Sequence, residues 1–132
     1  MNDLARRDAG AIVMGWLVKI ALVLTIVGVS AFDAIACASA HLTTTDDANA
    51  AASAASADYQ LSHSVQSALS AAQDAITNDS EVLDPKSFSI APDGSASLTI
   101  ERKVTTLVAY RIGPFKKYTD IKVRGQAPPP TR

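Results

Sequence analysis

With 132 residues, the chain has room for one membrane segment and one small domain, the roughly ninety residues after its apolar run being enough for a single modest core. Its formal net charge of −1 hides a partition: residues 33–84 hold eight acidic side chains and no Lys or Arg, while 85–132 hold nine basic and three acidic, a surplus of +6. The single cysteine, Cys37, excludes an intramolecular disulfide and a cysteine-based metal site, and an aromatic content of 5% leaves few large side chains for a core.

Residues 1–10 read as a short basic leader, and 11–36 as a transmembrane helix. The run AIVMGWLVKIALVLTIVGVSAF, residues 11–32, covers about 33 Å as a helix and so matches a hydrocarbon core. Arg6 and Arg7 precede it, and no basic residue follows until Lys86. That asymmetry places the N-terminus in the cytoplasm and the rest outside a bacterial cell membrane, in a single-pass topology. Lys19 lies inside the run, where its ammonium either snorkels to the inner headgroups or meets a carboxylate on a neighbouring helix. Asp33 falls at the outer boundary, where a carboxylate stays hydrated. Two processing readings compete with a retained anchor. Ala34-Ile35-Ala36-Cys37 has a lipobox-like form, and Ala38-Ser39-Ala40 fits a small-residue cleavage site. The apolar run is longer than a signal peptide needs, which favours the anchor.

Residues 37–60 form an Ala-rich helical segment, with seven alanines among the eleven residues from Asp47 to Ala57. Thr44-x-x-Asp47 has the spacing of a helix N-terminus, so the membrane helix either continues or breaks at the threonines and restarts. Ala51 and Ala55 give this segment a smooth face for a second helix. Leu61, Val65, Leu69, Ala72 and Ile76 then fall at helical steps and predict one apolar stripe covered by a sheet. Residues 87–90 and 95–104 read as strands around the turn Ala91-Pro92-Asp93-Gly94, and YTDIKVRG as a third, with Ile121 and Val123 inward. Residues 61–126 thus make an extracytoplasmic α+β domain, and the chain as a whole reads as α+β: a transmembrane helix, a long Ala-rich helix and a small antiparallel sheet of about three strands packed on the helix. Residues 127–132 are a Pro-rich tail.

His41 and His63 are the only histidines, and neither has a nucleophile or carboxylate at ligand spacing, so no catalysis, metal or cofactor is expected. The basic residues Lys116, Lys117, Lys122 and Arg124 crowd the C-terminal part, against Asp46, Asp47 and Asp58 on the Ala-rich segment. They are candidates for binding a partner. Outside the cell, lipid or protein is the expected partner rather than nucleic acid.

Arg6-Arg7-Asp8-Ala9-Gly10-Ala11, then Phe32-Asp33, Leu42 and Asp47-Ala48-Asn49-Ala50-Ala51-Ala52 carry a resemblance. The layout resembles TadE/TadG-like proteins, pilin-like minor components of Flp-type tight-adherence pilus assembly systems, over roughly residues 6–57. The resemblance implies a structural or assembly role in a pilus or secretion apparatus, with other small membrane proteins of the same system as partners in homo- or hetero-oligomers. It also marks Gly10 as a processing position for a prepilin peptidase, as the lipobox reading marks Cys37. Gly15 stands where the family commonly carries a Glu five residues after the leader glycine, and no proline interrupts the run. Both departures point to an uncleaved assembly factor rather than a fibre subunit.

Overall fold

The computed structural model describes residues 2–106 and 120–129, with side chains from residue 13 onward. The apolar run and the Ala-rich segment form one helix, α1 (Asn2–Ser62), of 61 residues and about 90 Å. Of the two alternatives at the threonines, continuation holds and the helix does not break there. Thr43 and Thr45 donate their hydroxyls to the carbonyls of Ser39 and His41, at 3.0 and 2.7 Å, and so satisfy themselves on the helix's own backbone. Thr44, between them, turns inward and is fully buried. It is a mid-helix contact, not a cap.

From Val13 to Phe32, α1 is exposed around almost its whole circumference. From Asp33 onward one face is covered, with Ala40, Ala48, Ala51 and Ala55 buried along it. The helix stops where His63 takes a φ of 51° and its N–H reaches the carbonyl of Tyr59 at 2.8 Å, a left-handed reversal of the kind that closes helices. Ser64 then caps α2 (Val65–Asp74) by accepting the N–H of Ser67.

This reversal corrects the expected stripe. Leu61 belongs to the end of α1 and is 87% exposed, and Val65 is exposed too. Ala68 and Ala72 are the buried residues of α2, with Leu69 and Ile76 half-buried beside them. α2 packs chiefly on α1, and it is α1 that carries the sheet. Ala72→Asp, which forces a carboxyl between the two helices, is expected to cost about 3 kcal/mol. Gln66→Asp, on the exposed side, should stay within about 0.5 kcal/mol. Urea midpoints of the full chain in detergent measure both, and equal effects would mean that α2 does not pack by this face.

Among the described residues the sheet has four strands rather than about three. Its centre is β3 (Ala96–Lys103), and β4 (Asp120–Ala127) pairs antiparallel along its whole length, from Ala96↔Ala127 to Lys103↔Asp120. The other edge of β3 is shared by β1 (Glu81–Leu83), opposite Arg102 to Ile100, and β2 (Ser89–Ile90), opposite Ser97 and Ala96. Between them Pro85 starts a short 3₁₀ turn, Pro85–Ser87, that interrupts the edge. The gap is closed at Thr99, whose carbonyl accepts the N–H of Asp84 at 3.0 Å and whose N–H donates to Ser87 Oγ at 2.8 Å.

The hairpin turn from β2 to β3 lies where the sequence places it, with Gly94 at φ 85°. The alternation of β4 also holds, Ile121 and Val123 facing α1 and Lys122 and Arg124 facing out. Leu98 and Ile100 are the largest fully buried side chains of a core otherwise built mostly of alanine. Small residues on α1 let the sheet approach its backbone closely. Phe115, Lys116, Lys117 and Tyr118, and the end of the Pro-rich tail, lie outside the described residues.

Candidate functional site

Two buried hydroxyls fasten the sheet to α1. Ser56 donates to the carbonyl of Gly94 at 2.7 Å, holding the β2–β3 hairpin. Thr44, twelve residues earlier and about 18 Å down the helix, donates to Glu81 Oε1 at 2.8 Å, holding β1. The same carboxylate oxygen accepts Arg102 Nη1 of β3 at 3.1 Å. Glu81's side chain is fully buried, Arg102's one-fifth exposed, and Glu81 Oε2 has no donor. Asp47, one turn along α1 from Thr44, brings a second carboxyl within hydrogen-bonding reach of Glu81.

Removal from water raises the Glu81 carboxyl above its ordinary 4.5. The Thr44 hydroxyl opposes that rise, the Asp47 carboxyl adds to it by hydrogen bond and by charge, and the Arg102 guanidinium opposes it. A carboxyl held this way is a structural joint between helix and sheet whose strength depends on its proton.

The outer face of the sheet is charged and internally matched. Lys122 pairs with Glu101 across β3 and β4, and this pair holds the Lys122 ammonium above its ordinary 10.5. Lys122 is thus already engaged within the sheet. Arg124, opposite Thr99, is exposed and borders a hollow of about 570 Å³ with Ser89, Ser95, Ser97 and Gln126. Its exposure keeps it available as a partner-binding residue.

The helix-borne residues separate into two groups. Ala51 and Ala55 are fully buried in the chain's own core, so they serve α2 and the sheet rather than a foreign helix. Cys37 is half-buried on α1, and Gly10 lies within the same helix. Lys19 is exposed along the apolar part. Asp33 is only 7% exposed, so protein covers it where hydration by water was anticipated. His41 and His63 are both exposed, and among the described residues no three His, Cys, Asp or Glu side chains gather to hold a metal ion. Large apolar side chains remain uncovered on α1 beyond Asp33, with Ile35 at 66% and Leu42 at 67% exposure.

The Thr44–Glu81–Arg102 joint escapes a reading by residue type, because a Thr and a Glu 37 positions apart carry no motif that joins them. The available signal is phase. Asp33, Cys37, Ala40, Thr44 and Ala48 follow one another at steps of three and four, a single helical face of small and polar residues. No protein-family model, curated protein or solved structure matches the chain.

Proposed function

We propose that this protein is a non-enzymatic, membrane-anchored structural or assembly component of a bacterial Flp/Tad-type pilus or secretion apparatus. The N-terminus faces the cytoplasm and the α+β domain lies outside. One observation carries the reading: a single helix near the N-terminus, long and apolar enough to cross a membrane, is exposed through residue 32 and becomes the spine of the domain at Asp33. The anchor and the domain therefore share one rigid element, an arrangement suited to transmitting position from membrane to envelope and of little evident use to a freely secreted module. The TadE/TadG-like layout of residues 6–57 adds the system. The basic residues before the apolar run support the orientation.

The continuity of α1 through Cys37 favours the retained anchor over a lipoprotein, since cleavage before Cys37 would cut the helix at a half-buried turn. Reporter fusions test the proposal. Alkaline phosphatase joined at the C-terminus is expected to be active, and a reporter that works only in the cytoplasm to be silent. The reverse pair of results overturns it, as does recovery of the protein in the soluble fraction.

A further inference from the structure

We propose that Asp47 and Glu81 hold a single proton between them, and that this proton is a latch for one strand: when it leaves, β1 comes away from α1 while the rest of the sheet stays in place. Asp47 is then half of a carboxyl pair, and the opening is local to β1.

The geometry requires the proton. Glu81 Oε1 is already shared by Thr44 and Arg102, at 2.8 and 3.1 Å, while Oε2 is buried with no donor. Asp47 lies three residues after Thr44 on the same side of α1, half-buried, with its carboxyl in hydrogen-bonding reach of Glu81. Ionised carboxylates only accept, so this approach is a bond only when one of the two carries a proton. Charge gives the same count. Arg102 of β3 is the cation facing Glu81, so the three groups are neutral with one proton on the pair and carry an unbalanced charge with none. Asp79 in the turn before β1 and Gln73 of α2 line the neighbouring hollow of about 260 Å³ and bring no second cation.

β1 is the strand free to move. It is three residues long, pairs with β3 alone among the described residues, and exposes its central Val82. β3, by contrast, is held by β4 along its whole length, and Ser56 fixes its hairpin independently. So short an edge lies at the low end of local stability, where one proton can decide its position. With both carboxylates charged, Glu81 turns toward water, drawing β1 from α1 and uncovering Leu83 and Thr44. In the opened strand Glu81 titrates near its ordinary 4.5, and closing raises it, chiefly by burial. Closure therefore takes up a proton and weakens by up to about tenfold per pH unit above 4.5, until the closed value is passed.

Amide hydrogen exchange of the full chain in detergent, corrected for the intrinsic rate at each pH, tests the latch. Protection of the Val82 and Asp84 amides, which bond to β3, is expected to fall several-fold or more between pH 4.5 and 7.5. Leu98 and Ile100, whose N–H groups face β4, should stay at least tenfold better protected at every pH. Asp47→Asn puts a permanent N–H donor where the proton was and should shrink the fall several-fold. Asp46→Asn removes the same charge from an exposed position of α1 and should leave the fall as it is. Asp47→Ala leaves Glu81 without its partner and should lower β1 protection at pH 4.5 several-fold, with Leu98 and Ile100 reporting that the domain remains folded. An undiminished fall in Asp47→Asn, an equal effect of Asp46→Asn, or the same protection in β1 as at Leu98 and Ile100 overturns the latch.

Discussion

Gly125→Ala is expected to destabilise the domain by about 3 kcal/mol or more, toward the upper end of what a single added carbon costs in a packed interior. β4 crosses α1 at this glycine. A Cβ built on Gly125 falls on the backbone carbonyl of Ala48 and lies 2.9 Å from the Ala48 side chain. Neither neighbour is the free end of a long side chain, so relief requires the helix and strand to move apart. That movement would strip contact from Leu98, which is paired with Gly125 across the sheet, and from the adjacent Val123. Gly94→Ala supplies the comparison. Its cost of about 1 kcal/mol comes from placing a side chain at positive φ, since an added Cβ there meets only the end of Gln60 at 3.6 Å. Amide hydrogen exchange in β3 and β4 reads both. Protection lost in Gly125→Ala and largely kept in Gly94→Ala is the expected result, and equal protection would place α1 and β4 farther apart than described.

Gly125 also shows where sequence reading reaches its limit. The alternation of Ile121 and Val123 against Lys122 and Arg124 makes β4 legible, because a half-buried strand repeats every two residues. That the next inward position must be a glycine depends on Ala48, 77 residues earlier, and no local pattern carries such a relation. The long apolar helix and the hairpin at Gly94 are legible for the same local reasons, composition in one case and turn chemistry in the other. β1 is not. It is three residues long, its central Val82 points outward, and its two ends are a buried Glu and a buried Leu. The threonines leave both a break and a continuous helix open, because a hydroxyl that favours a cap in isolation can equally bond the carbonyl four residues back. The stripe from Leu61 misleads because a reversal at His63 splits one helical phase between two helices. Ala51 and Ala55 are legible as a surface for close packing, but whether its occupant is foreign or the chain's own α2 and sheet is decided only by the fold.

The second large effect is a pH-dependent one at the buried joint. Arg102→Leu is expected to destabilise the domain by about 2–4 kcal/mol near neutral pH, because it leaves the Glu81 carboxylate buried beside Asp47 without its cation. The effect should shrink toward pH 4.5, the ordinary value for Glu81. Glu81 is raised in the folded protein chiefly by burial, so the folded state binds its proton more tightly than the unfolded chain does. Its favourable contribution is therefore full below 4.5 and is lost as pH rises through the raised folded value. Removing Arg102 takes away one of the influences that hold Glu81 down, so the loss grows and extends to higher pH. Asp93 acts in a separate window. Its carboxylate accepts both the hydroxyl and the N–H of Ser95 and is held below its ordinary 3.8, so its contribution is lost only as pH falls past that value. Glu81→Gln keeps an acceptor for Thr44 and can donate to Asp47 without titrating. It should flatten the pH dependence above 4.5 in either background, and should largely rescue Arg102→Leu at neutral pH. Urea midpoints of the four proteins across this range decide it. If Arg102→Leu is equally destabilising at pH 4.5 and 7.5, or Glu81→Gln leaves the slope unchanged, the joint between α1 and β1 does not turn on the Glu81 proton.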